Sequence, residues 1–139
     1  MRALAVLALA LLALGACGGS DGMDLRITLV VEDKNIRVEG AECAGARPLE
    51  YAHAEAGYSI EDSTGKVLAD GELPAGHAVN ADPSIDWGVE RIPTVCVMEV
   101  EVDLPERPHY RFLLPDTVPL DFDAALLARD EPVELVLSG

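Results

Sequence analysis

The chain is 139 residues long, carries 25 acidic against 10 basic residues, and has a formal net charge of −15 at pH 7. Such a surface repels nucleic acid and anionic lipid, so neither is expected as an electrostatic partner, and the acidity fits the solubility of an exported domain. Half of the residues are apolar, enough for a packed core and too many for wholesale disorder, while aromatic residues make up only 4%.

Arg2 supplies the one positive charge before an unbroken small-apolar run from Ala3 to Leu14, followed by Gly15-Ala16-Cys17. A charged start, an apolar stretch of about 7–15 residues and small residues before a cut site define a secretory signal. A membrane-spanning helix needs about 20 apolar residues, and this run stops short at the Gly15–Gly19 cluster. No polar face interrupts it, as a helix packed on a domain core would require. Leu14-Gly15-Ala16-Cys17 resembles the lipobox of bacterial lipoproteins. That resemblance implies diacylglycerol on the Cys17 sulfur and a cut just before it, so that residues 1–16 are a signal peptide. Residues 17–22 then form the lipidated cysteine and a Gly/Ser-rich flexible tether ahead of one domain over 23–139. One acyl chain holds a protein only transiently, whereas two or more anchor it. Asp does not directly follow Cys17, which by the same resemblance implies the outer membrane in a cell that has two.

Met23 to Glu32 alternates, with Leu25, Ile27, Leu29 and Val31 on one side, the period of a half-buried strand. Glu32-Asp33-Lys34-Asn35 reads as a turn and Ile36-Arg37-Val38 as a short returning strand. Residues 49–58 mix helix-favouring alanines with strand-like alternation, and extended structure is expected from about Ala54. Tyr58–Glu61 and Val67–Ala69 flank a turn over 62–66 that holds Gly65, which predicts a hairpin. Gly71 to Pro93 reads as one long connection, of a length often functional. Thr94, Cys96, Met98, Val100, Val102 and Leu104 form the inward side of the clearest strand, with Glu99, Glu101 and Asp103 as a solvated outer rim. Tyr110, Phe112 and Leu114 mark the next strand. Asp121 or Asp123 is expected to cap a short helix over 124–129, and Val133, Leu135 and Leu137 mark a closing strand.

Many short strands and little helix predict an all-β, two-layer antiparallel β-sandwich of about seven strands, with one short helix near the C-terminus. Periodicity leaves immunoglobulin-like and transthyretin-like strand orders both open. Cys43 and Cys96 are the thiols left once Cys17 is lipidated, and in an oxidising compartment they most simply pair as a structural disulfide. A metal or redox pair ordinarily uses C-x-x-C spacing, which they lack. The series Cys43, Tyr58-Ser59-Ile60-Glu61-Asp62, Gly65-Lys66-Val67-Leu68-Ala69, Gly71, Leu73, Cys96 and Tyr110 resembles a group of small bacterial lipoproteins with one two-cysteine domain. Over residues 43–139 the resemblance implies a β-sandwich and membrane anchoring, and it transfers no catalytic or binding residue.

Three sets of residues compete as chemistry-bearing sites. Asn80, Asp82, Ser84 and Asp86 recur at alternate positions like a calcium loop. An EF-hand, however, needs Gly and Glu where Ile85 and Arg91 stand, and Pro83 intrudes, so a polar surface loop is favoured. His53, His77 and His109 would bind a transition metal only if the fold gathered them, and none sits at short ligand spacing from another. No His and Met follow Cys96 closely, as a blue-copper site would need. Trp87 fits a core plug better than a platform for a ligand or partner, and stays a candidate for the latter. No G-x-S-x-G elbow appears, and the thiols are expected in the disulfide, so catalysis is not expected. The reading is a lipid-anchored, extracytoplasmic, non-catalytic binding or assembly module without cofactor, meeting an envelope protein. A metal-binding lipoprotein using Asp82, Asp86 or the histidines, and a small envelope enzyme, are the alternatives.

Overall fold

A computed structural model describes residues 22–127 and 130–139. They form strands β1 (Gly22–Val38), β2 (Glu42–Cys43), β3 (Gly57–Glu61), β4 (Val67–Glu72), β5 (Gly76–Asn80), β6 (Arg91–Pro105), β7 (His109–Leu113), β8 (Leu120–Asp123) and β9 (Val133–Leu137). One helical turn, α1 (Ala124–Leu127), follows β8. Two sheets face each other, one in the order β2-β5-β6-β1-β9 and the other β4-β3-β7-β8. Every pairing is antiparallel except β1 with β9, which is parallel. The expected sandwich with a short helix near its C-terminal end is therefore present, built on nine strands among the described residues rather than about seven.

Alternation makes the core. Leu25, Ile27, Leu29 and Val31 of β1 join Met98, Val100 and Leu104 of β6 on the inner face of the five-stranded sheet, all buried. Opposite them lie Ile60 of β3, Tyr110 and Phe112 of β7 and Phe122 of β8. Offset aromatic stacks join these strands: Tyr58 on Phe112 at 5.3 Å and Tyr110 on Phe122 at 5.1 Å between ring centroids. The Tyr110 hydroxyl also donates to the carbonyl of Pro105 (3.0 Å) and accepts from the amide of Arg107 (2.8 Å). It thus locks the β6–β7 connection in the manner of a tyrosine corner. The predicted hairpin is β3–β4. Its turn closes because Asp62 accepts from the amides of Thr64 and Lys66 and from the Thr64 hydroxyl, while Gly65 takes the left-handed φ of 83°.

Four readings of the sequence are corrected. Glu32–Asn35 does not turn the chain back. β1 continues through it as a bulge, pairing with β6 as Val31↔Cys96 before it and Asn35↔Thr94 after it, with Lys34 at φ 51°. The expected returning strand 36–38 is therefore the far end of the same strand. Residues 47–56 are turns rather than extended chain from Ala54, and β3 starts at Gly57. The connection 71–93 is broken by the end of β4 and by β5, whose inward positions are Gly76 and Ala78 and carry little apolar signal. Asp121 lies inside β8 with its carboxylate on Arg111 (3.1 Å), whereas Asp123 ends β8 directly before α1, at the expected cap position, with its carboxylate turned to His109 (2.5 Å); residues 128 and 129 of the expected helix lie outside the described residues.

Candidate functional site

β1 and β6 pair along their whole length, from Gly22↔Pro105 at one end to Val38↔Arg91 at the other. At roughly 3.3 Å per residue, that ladder separates its two ends by about 45 Å. Cys17, the expected lipidation site, lies outside the described residues; the described chain enters at Gly22, at the Pro105 end. The disulfide, the bulge of β1 and the Trp87 loop all belong to the opposite half.

Cys43 and Cys96 are joined, with Cα atoms 5.9 Å apart. The bridge ties the edge strand β2 to β6 across β5, and β5 passes so close that a Cβ on Gly76 would stand 2.5 Å from the Cys96 sulfur. Beside it the bulge places Asp33 and Arg37 on one ion pair, with side chains 0% and 12% exposed. Nη1 of Arg37 donates to Oδ1 of Asp33 (3.0 Å) and to the Thr94 hydroxyl (3.2 Å), and Nη2 to the other carboxylate oxygen and to the Ala44 carbonyl (2.9 Å). The Ala46 amide donates to Asp33 as well (2.8 Å). Burial alone pushes the Asp33 carboxyl up. The Arg37 hydrogen bonds, the Ala46 and Asn35 amides and the Arg37 charge outweigh it and hold the group below its ordinary value. Sequence reasoning missed this clamp because Asp-Lys-Asn reads as a surface turn; the Asp33–Arg37 spacing of four was the available signal.

The 81–90 loop spends its polar groups on itself. Asp82 accepts from the Ser84 amide (3.0 Å) and hydroxyl (2.6 Å), which lowers its pKa, and Asp86 accepts from the Gly88 amide (3.1 Å). The Asn80 side-chain oxygen accepts from the Asp82 amide (2.9 Å) and from the Trp87 indole N–H (3.2 Å). These are Asx turns, the same short-range chemistry that shapes loops generally. Trp87 is not in the core. It is half-buried in an open depression beside Ile85 and Val89, which are 42% and 65% exposed.

The three histidines are not brought together. His53 stands in the turns before β3, its Nδ1 2.7 Å from the Ala54 carbonyl. His77 is on the outer face of the five-stranded sheet, and His109 on that of the four-stranded sheet. Among the described residues, no three His, Cys, Asp or Glu side chains gather as a metal set, and every buried side-chain N or O has a hydrogen-bond partner. The nearest approach to a nucleophile with base and acid is Ser63 in the depression of His109 and Asp123. Both ends of that His–Asp pair are more than 60% exposed, and Ser63 makes no hydrogen bond to it, so the arrangement lacks the water-excluded, oriented base that activates a hydroxyl. Glu99, Glu101 and Asp103 are exposed on the outer face of β6. No helix among the described residues is long and apolar enough to cross a membrane. Neither family models, nor curated proteins, nor solved structures gave a match to this chain.

Proposed function

We propose that the chain is an exported bacterial lipoprotein, held to the membrane through acyl chains on Cys17, whose β-sandwich is a non-catalytic binding or assembly module for an envelope protein. The observation that carries this reading is the conjunction of the 1–17 leader with the Cys43–Cys96 bridge. A leader directs a chain out of the reducing cytosol, and a structural disulfide persists where that reduction is absent. The tether from Cys17 joins the sandwich at Gly22, which the structure puts in β1 rather than in the tether, so that end is the nearer to the anchor and the Trp87 loop lies at the other end of the β1–β6 ladder. Exposed Ile85 and Val89 beside a half-buried tryptophan at that outer end are the chemistry of a contact surface. In a cell with two membranes the destination is the outer one.

The test is the mass of the N-terminal peptide of protein isolated from its native envelope. The expected N-terminus is Cys17 with diacylglycerol on sulfur, and Cys17→Ser is expected to release the chain from membranes. A native chain that begins at Met1 without acyl mass overturns the reading.

A further inference from the structure

The outer face of the five-stranded sheet is half apolar, which a sheet face turned to water ordinarily is not. Register puts Val136, Val30 and Val97 side by side across β9, β1 and β6, and Val95 beside Val79 across β6 and β5 in the next outward row. Beyond the bulge, Ile36 and Val38 continue the stripe, 46% and 38% exposed, and Val136 is 39% exposed. None of these side chains belongs to the core cluster, although Val97, flanked by Val30 and His77, is itself only 8% exposed, and Val30, Val79 and Val95 are half-buried. Glu134 and Glu99 form the adjoining row on either side of Thr28, Glu32 lies next to Val30's end of β1, and Glu42 lies beyond His77. Among the described residues, none of these four carboxylates takes part in an ion pair.

Resting on the binding-module reading above, we infer that this face is a docking surface additional to the Trp87 loop and that its occupant is a basic amphipathic polypeptide segment, with an apolar stripe for the valines and Lys or Arg for the carboxylate rim. Charge decides among occupants. The carboxylates Glu32, Glu42, Glu99 and Glu134 outnumber the cations Arg26 and Arg91 of the same face, so a second copy would set mainly carboxylate against carboxylate in a chain of net charge −15, and like charges placed face to face suppress association. An anionic bilayer is repelled for the same reason. A cationic flank gains from the rim, while an apolar stripe on the segment covers the valines, the helix-in-groove logic applied to a flat sheet.

The test uses the full-length chain in zwitterionic nanodiscs and two synthetic helical peptides of about five turns, alike in their leucine stripe. One carries Lys elsewhere and the other Glu, and each has one diazirine-bearing leucine for cross-linking. The expected result is that only the Lys peptide binds and that its cross-links fall on β1, β6 and β9 around Val30, Val97 and Val136. Glu99→Gln with Glu134→Gln, at exposed positions, is expected to weaken binding at least fivefold and to flatten its salt dependence. Val30→Thr with Val136→Thr, isosteric and strand-compatible, is expected to weaken it at least fivefold with unchanged circular dichroism. Equal binding of the Glu peptide, cross-links confined to the Asp24–Glu101 end or to the other sheet, or a stable self-association through this face would each overturn the inference. A chain acylated on Cys17 that fails the cross-linking loses this surface and keeps its anchor. One that cross-links as expected without acyl mass loses the anchor and keeps the surface.

Discussion

Arg37 grips both carboxylate oxygens of Asp33 from four residues along the same strand, an arrangement possible only because β1 bulges between them. The same guanidinium reaches Thr94 of β6 and the carbonyl of Ala44, so one buried pair holds the bulge, the neighbouring strand and the segment leading from β2. Removing one member strands the other in a site with little water. Asp33→Asn is expected to destabilise the fold by about 3 kcal/mol, within the range for breaking a buried pair. Urea denaturation reads it. The Asp33→Leu/Arg37→Met double variant is expected to cost less than the sum of its single changes, because neither charge is then left alone.

Acid should act through the same pair. The Asp33 carboxyl is held below its ordinary value of 3.8, so its contribution is complete above that pH and is lost as pH falls through the lower folded value. The stability gap between the native chain and Asp33→Asn is therefore expected to stay level from pH 7 to about 4 and to narrow below it. A gap that widens on acidification would falsify this assignment. Asp62, lowered by its Thr64 and Lys66 hydrogen bonds and by Arg107 against the opposing effect of burial, titrates in the same sense and weakens the β3–β4 turn over the same acid range.

Reduction of Cys43–Cys96 frees a loop whose ends are 53 residues apart. The chain-entropy relation gives about 4 kcal/mol for a loop of that size. The thermal midpoint is expected to fall sharply in reductant, and thiol titration of the native protein is expected to find neither cysteine free.

Gly76→Ala should be costly although the backbone there is ordinary extended strand. Its new methyl would stand 2.5 Å from the Cys96 sulfur and 2.9 Å from the Cys43 carbonyl, and neither the bridge nor the backbone can yield. Overpacking of this kind costs about 1–3 kcal/mol. Gly57→Ala, where the nearest atom is 4.0 Å away, is the control and is expected to change stability by less than half that range.

Tyr110→Phe keeps the stack on Phe122 and removes only the hydroxyl between Pro105 and Arg107. Leaving a part-buried amide and carbonyl without that partner is expected to cost about 1–3 kcal/mol. The measurement is the urea midpoint with unchanged slope.

What could be read from the chain beforehand follows from side-chain size and contact range. β6 was legible because its inward positions are large or medium and its outer positions turn acidic, giving a clean period of two. β5 was not, because Gly76 and Ala78 supply its inward face and the covering bulk comes from the disulfide, which is remote in sequence. The β3–β4 hairpin was legible because Asp62 and Gly65 act within five residues. The bulge of β1 was not, since Asp33 and Lys34 look like a surface turn until Arg37 and Ala46 are seen to satisfy the carboxylate. Pairing Cys43 with Cys96 needed only counting the thiols left beside Cys17. The self-contained Asx turns of Asp82 and Asp86 needed coordinates, because the same alternating spacing serves a cation or a loop. The valine stripe on the outer sheet face was invisible for a different reason: which side of a strand is covered depends on neighbours that arrive from β1, β5 and β9.

Those neighbours also set an order of events. β1 lies between β6 and β9, which follow it by more than fifty and more than ninety residues, and the β9 contact is parallel. No local hairpin can shelter β1 as it emerges, and sheet closure waits on segments made much later, the kind of topology that folds slowly. β1 stays unpaired until β6 is made, so refolding from denaturant is expected to be slow and to begin without any hairpin at the N-terminal strand.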